Sequence, residues 1–121
     1  MKDFKELMKI KQETRVSTPY GDIYSRIYKA IPIGKFALSV QASQYHYCSP
    51  RKTLPLGKYD TMEIAIFEKE KWIQPHTDER FKHFSRLNEL LQQYEEGEYA
   101  VGAYIPIDLI QDLCNYLEKI G

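Results

Sequence analysis

His46 and Cys48 are the closest approach of an imidazole and a thiol in this chain, two residues apart in the run Ser43-Gln44-Tyr45-His46-Tyr47-Cys48-Ser49-Pro50-Arg51. In an extended segment residues i and i+2 point the same way, so the imidazole could draw off the thiol proton and leave a thiolate nucleophile. The neighbouring residues supply no clear oxyanion hole and no strand-turn-helix elbow for the cysteine. The plainer reading is a packed thiol beside a hydrogen-bonded histidine, since free cysteine is among the most buried residue types. Cys114 lies beside a helical apolar stripe and reads as core.

Metal chemistry has little to work with. The soft and imidazole ligands are Cys48, Cys114, His46, His76 and His83, and they form neither a Cys-x-x-Cys nor a His-x-x-x-His pair. A zinc site needs three or four ligands at recognisable spacings. No metal and no cofactor are therefore expected. Asp60 and Glu63 flank a candidate strand, but they point to opposite faces and have no evident acidic partner. No Gly-x-Gly-x-x-Gly or Walker-type loop is present.

What remains is a constellation suited to holding a ligand. Arg26 stands between Tyr24 and Tyr28, and Arg51 follows Tyr45, His46 and Tyr47. Aromatic rings stack on planar bases, while guanidinium forks grip phosphates through paired hydrogen bonds. Trp72 offers another stacking surface and Gln41 an amide on the polar side of a strand. The bland alternative is cross-strand pairing of Tyr and Arg on a solvated face, with Trp72 anchoring the entry to a helix. The 10 tyrosines among 121 residues favour a recognition surface or an oligomer contact, because tyrosine combines stiff area with a hydrogen-bonding tip.

The elements that must position these residues follow from periodicity. Phe4, Leu7 and Met8 predict a short amphipathic helix over 3–12. Thr18-Pro19-Tyr20-Gly21-Asp22 is a turn between strands at 14–18 and 22–30. Period-two alternation runs through 22–30, with Ile23 and Ile27 opposite Tyr24, Arg26 and Tyr28, and recurs at 35–43, with Phe36, Leu38 and Val40 on one face, and at 59–68, with Met62, Ile64 and Ile66. The period then lengthens. Phe81, Phe84, Leu87, Leu90, Leu91 and Tyr94 predict a helix from Asp78 with its stop at Gly97. An extended piece from Tyr99 to Tyr104 precedes Pro106, a favoured first-turn residue, and a helix carrying Leu109, Ile110, Leu113, Leu117 and Ile120. The expected fold is α+β: an antiparallel sheet from the N-terminal half covered by two C-terminal amphipathic helices. The connection from Ser43 to Lys58 is long for paired strands and dense in aromatic groups, which marks it as the functional loop.

Bulk properties narrow the classes further. With 121 residues, 43% of them hydrophobic, and no repeat or linker, one domain over 1–121 is expected. No apolar run reaches membrane-spanning length, and the charged opening Met1-Lys2-Asp3-Phe4-Lys5-Glu6 does not read as a signal peptide. A cytoplasmic protein with reduced cysteines is the expectation. Lys+Arg and Asp+Glu both number 17, so there is no global field to attract duplex nucleic acid or an anionic membrane.

Three stretches carry a resemblance to a known family: Ser39 to Arg51, the strand Tyr59-Asp60-Thr61-Met62-Glu63-Ile64-Ala65-Ile66-Phe67, and Tyr104-Ile105-Pro106-Ile107-Asp108-Leu109-Ile110. Together they resemble small phage proteins of the type 1 Thoeris anti-defence family. The likeness spans the sheet, the loop and the last helix. It implies a non-enzymatic sponge that binds the cyclic ADP-ribose isomer made by a bacterial TIR-domain defence enzyme and keeps it from its effector. It also implies a homo-oligomer with ligand pockets near subunit contacts. Position in the family's loop motif, together with chemistry, nominates Tyr45, His46, Tyr47 and Arg51. Arg26, Gln41 and Trp72 are nominated by chemistry alone. Three readings compete with the sponge: a phage inhibitor that covers a host defence complex directly, an enzyme built on His46, Cys48 or Glu63, and a single-stranded nucleic-acid binder.

Overall fold

The computed structural model describes every residue from Met1 to Gly121. Its strands are β1 (Ile10–Thr18), β2 (Gly21–Tyr28), β3 (Ile31–Ile33), β4 (Phe36–Gln41), β5 (Thr61–Glu68), β6 (Lys71–Ile73) and β7 (Gly102–Pro106); its α-helices are α1 (Leu87–Gln92) and α2 (Ile107–Ile120). The fold mixes α and β, with antiparallel pairing throughout and a C-terminal helix. A 5-stranded sheet runs β3-β4-β5-β6, and β7 adds to β5 beside β6. A second sheet is the two-stranded ribbon of β1 and β2.

The alternating segments at 35–43 and 59–68 bury the faces their sequence assigns, whereas in β2 the assignment is reversed: Tyr28 is buried and Ile27, on the apolar face, is exposed. Phe36, Leu38 and Val40 of β4 lie against Met62, Ile64 and Ile66 of β5, all essentially without solvent contact. α2 covers them with Leu109, Ile110, Leu113, Cys114 and Leu117. Truncating a side chain as enclosed as Leu113 to alanine costs about 2–5 kcal/mol in such cores. Gly121, the C-cap of α2, meets the β3–β4 turn: Gly34 has φ of +59°, and a Cβ there would sit 2.9 Å from the Gly121 carbonyl carbon. Only glycine meets both demands.

Two helical expectations are corrected. Residues 78–94 do not form one amphipathic helix; they contain a 3₁₀ turn at Glu79–Phe81 and the six-residue α1. Of the buried positions Phe81, Phe84, Leu90 and Tyr94, the first three are spaced by multiples of three, which is the 3₁₀ repeat. Phe84 N–H donates to Phe81 O and Leu87 N–H to Phe84 O, so successive tight turns serve that spacing. At the N-terminus the expected helix over 3–12 is a single 3₁₀ turn, Phe4–Leu7, capped by the Asp3 carboxylate. The chain extends from there, and β1 begins at Ile10 rather than residue 14. The short strands β3 and β6 carry too few residues for alternation to reveal them.

Tyr24 and Tyr28 of β2 turn their backbone groups away from β1, and side chains from the body of the protein satisfy them. The Gln41 amide donates to Tyr28 O at 2.8 Å and accepts from Tyr28 N–H at 2.9 Å, copying a peptide partner. Gln44 Oε1 accepts from Tyr24 N–H at 3.1 Å, and the Thr53 hydroxyl donates to Tyr24 O. A strand edge is thereby paired without a strand. Gln41→Leu leaves both Tyr28 groups unpartnered. It should cost about 1–3 kcal/mol in denaturant unfolding and speed amide exchange through β2 more than through β5.

Candidate functional site

The connection after β4 is organised by Ser43, which is fully buried. Its carbonyl accepts from His46 N–H at 3.1 Å and from the Cys48 thiol at 3.3 Å. Its hydroxyl lies 2.7 Å from His46 Nδ1 and accepts from Tyr45 N–H at 3.3 Å. This knot throws the exposed Tyr45 and Tyr47 outward and draws Cys48 in. Beyond it the Ser49–Pro50 peptide is cis, and Ser49 pairs with Thr61 at the start of β5.

The knot also sets the partners of the imidazole and the thiol. The imidazole pairs with the Ser43 hydroxyl and the thiol with the Ser43 carbonyl, so these bonds do not couple the two groups to each other. Burial pushes the Cys48 thiol above its ordinary range, and the nearby Glu63 adds to the rise. Burial, then Arg51, holds His46 below its ordinary value. These shifts favour the neutral forms of both groups, opposite to what an activated thiolate–imidazolium pair requires.

Around the knot stands an aromatic and charged patch. The Arg51 guanidinium lies over the Tyr47 ring at 5.3 Å, and Tyr104 of β7 tilts against Tyr47 at 6.0 Å between centroids. Arg51 is exposed and forms no salt bridge, whereas Arg26, Arg80 and Arg86 each hold at least one carboxylate. Glu63 borders the patch, its carboxyl raised by burial and then by Glu95. Tyr104 adopts φ of +54°, a left-handed conformation costly for a bulky residue, and its N–H donates to Tyr47 O at 3.0 Å.

His46, Tyr47 and Arg51 thus lie together, while the exposed Tyr45 is tied to them through its N–H bond to Ser43. The other nominated residues lie elsewhere. Arg26 is a scaffold residue: its guanidinium donates to Glu13, to the hydroxyls of Tyr24 and Tyr28, and to Leu54 O, leaving little with which to grip a phosphate. Gln41 spends its amide on Tyr28 and Ser39, although it also lines a cleft of about 440 Å³ with Lys11, Lys29 and Phe67. Trp72 packs on Phe67 at 4.7 Å and on Tyr99 at 5.6 Å. Phe67 lies four residues along β5 from Glu63, roughly 13 Å at strand rise. Sequence reasoning missed Ser43 and Tyr104. Neither the serine's burial nor the positive φ leaves a mark in the amino-acid order.

Two outcomes follow. Thiol reagents should label native Cys48 and Cys114 slowly and both rapidly after unfolding, because they are 1% and 0% exposed. Between the ordinary imidazole value of 6.5 and its lower folded value, the unfolded chain binds more protons, so stability rises with pH across that window through His46. His46→Asn should flatten that part of a pH–stability curve measured by urea unfolding. Searches against protein-family models, curated proteins and solved structures return no match to this chain.

Proposed function

We propose that this chain is a binding protein that sequesters a cyclic nucleotide immune signal without altering it, the cyclic ADP-ribose isomer of a TIR-domain enzyme, and so inhibits an anti-phage defence. The observation that carries the reading is the unpaired Arg51 guanidinium lying over Tyr47, with Tyr104 beside it. An arginine already saturated by carboxylates would have to break those bonds before meeting a phosphate. Arg51 has none to break. Stacking on Tyr47 also pre-orders its long side chain, which lowers the entropy lost on binding. The resemblance of the loop, β5 and the start of α2 to the Thoeris anti-defence proteins supplies the ligand class. The pairing of His46 and Cys48 with Ser43 rather than each other supports binding over thiol chemistry.

The magnitudes set a further demand. Trapping a scarce signal at nanomolar concentration takes about −12 kcal/mol. Each base stacked on a ring contributes about 1–3 kcal/mol, so an open patch on one chain falls short unless further contacts enclose the guest. A homo-oligomer that closes the patch would supply them.

A second reading draws on the exposed Tyr20 and Tyr99, aromatic anchors of the kind that dock on proteins. In it the chain covers a host defence complex directly, and co-purification of a host protein without calorimetric affinity for nucleotides is its outcome.

The test is titration calorimetry with a TIR-generated cyclic ADP-ribose isomer, followed by heat release and mass spectrometry of the ligand. The expected results are a ligand recovered intact and at least tenfold weaker binding by Arg51→Ala, about 1.4 kcal/mol. A hydrolysed product, or an affinity indifferent to Arg51, overturns the proposal. Tyr104→Gly separates function from stability: it removes a ring from the patch and relieves about 1–3 kcal/mol of backbone strain. It should bind more weakly while unfolding at no lower temperature.

A further inference from the structure

The ribbon treats its two edges differently. Side chains of the body pair with Tyr24 and Tyr28 on the outer edge of β2, whereas β1 presents nine residues with no neighbour on its far side, all but the last exposed. Long open edges are commonly blocked by proline, by a bulge, by a covering loop or by charged side chains, and of these β1 carries charges, Lys11, Glu13 and Arg15. β1 has no proline, and its one irregularity lies at the start, between Ile10 and Gln12.

The groups that β1 offers can be named. Tyr24 turns its N–H and C=O away from β1, toward Gln44 and Thr53. Its register partner Arg15 therefore sits in a pair without mutual hydrogen bonds and turns its own N–H and C=O outward. Alternation adds Glu13 and Ser17 to the same outward set. We infer that this edge pairs antiparallel with β1 of a second copy, about a two-fold axis at Thr14, joining two ribbons into one four-stranded sheet.

Charge selects that register. An axis at Thr14 sets Glu13 opposite the partner's Arg15, and by symmetry Arg15 opposite the partner's Glu13, with Gln12 opposite the partner's Val16. The groups are ready for the exchange. Glu13 uses Oε1 for both Arg26 and Tyr24, keeping Oε2 free, and Arg15 makes no salt bridge in its own chain, lying over the Tyr24 ring at 4.2 Å. An axis at Glu13 would oppose Glu13 to its own copy and Lys11 to the partner's Arg15. An axis at Arg15 would oppose two arginines. An axis at Gln12 would run the pairing through the irregular end. Opposite charges across a strand pair stabilise it and like charges destabilise it.

The same register engages the most exposed aromatic side chain in the molecule. Tyr20, at the ribbon's tip, is 99% exposed. Antiparallel pairing centred on Thr14 carries it to the level of the partner's Met8. There, at the base of the ribbon, lies a cavity of about 330 Å³ bordered by Leu7, Lys9, Ala30 and Ile31. An aromatic knob on each tip thus meets an apolar-sided recess on the other copy, as a closed two-fold interface requires. The inference is independent of the ligand reading, because neither Arg51 nor Tyr47 takes part.

Sedimentation velocity of the full chain over a micromolar range tests it, with a species of twice 14.3 kDa expected. Arg15→Glu should weaken that dimer at least tenfold and Tyr20→Ala several-fold, each with unchanged circular dichroism. Register is read by mild oxidation. Thr14→Cys faces its own copy across a non-hydrogen-bonded pair, a separation a disulfide can bridge, and should cross-link to dimer. Gln12→Cys lies four residues from its own copy along the strands and should not. The wild type is the control, its two thiols being buried. A monomer at every concentration overturns the inference. So does a dimer that is indifferent to Arg15→Glu, or one in which Gln12→Cys cross-links and Thr14→Cys does not.

Discussion

Every peptide group of a strand must find a partner, and at Tyr24 and Tyr28 the edge of β2 that faces the body finds them in side chains. The Gln41 amide bonded to both backbone groups of Tyr28 is the centre of that arrangement. It ties the ribbon to the end of β4, and it places Tyr28, only 3% exposed, in the shared core. It fixes the ribbon face on which Arg26 reaches Leu54 O across the loop. Gln44 and Thr53 extend the arrangement, so the loop between β4 and β5 is pinned from the ribbon side by the groups that close the strand.

That constraint redistributes the polar chemistry. Gln41 and Arg26 have the residue types of a nucleotide site, and both are spent on holding the ribbon. The loop they help to pin is then ordered from within by Ser43, whose carbonyl and hydroxyl gather His46, Cys48 and Tyr45 into one turn. With the thiol directed to a backbone carbonyl, what faces solvent is Tyr45, Tyr47 and Arg51, joined by Tyr104 from β7. The strain at Tyr104 fits a surface in which a ring is held in place by the Tyr47 carbonyl rather than by its own preference.

Much of this architecture was legible in the amino-acid order. Strict alternation at Phe36-Leu38-Val40 and at Met62-Ile64-Ile66 identifies the two central strands, because one face is buried and a one-residue slip would expose it. Pro106 followed by Leu109, Ile110, Leu113 and Leu117 identifies α2. Residues 78–94 misled because Phe81, Phe84, Leu87 and Leu90 recur every three residues, a spacing that tight turns satisfy as well as an α-helix does. The loop stands out as a candidate site through its density of Tyr, His and Arg. The roles of Arg26 and Gln41 were not legible. Whether a polar side chain meets a ligand or closes a strand edge depends on contacts such as Gln41 with Tyr28, thirteen residues apart, which no local pattern encodes.

Two arginines divide the labour, Arg26 saturated in the scaffold and Arg51 stacked on Tyr47 without a salt bridge. Nuclear magnetic resonance reads both at once through their Nε–H signals. On addition of a TIR-generated cyclic ADP-ribose isomer, the Arg51 Nε–H and the Tyr47 and Tyr104 ring resonances should shift in saturable fashion while the Arg26 Nε–H stays in place. Shifts confined to Arg26, or to the cleft of Lys11 and Lys29, or absent from the molecule altogether, would contradict that division.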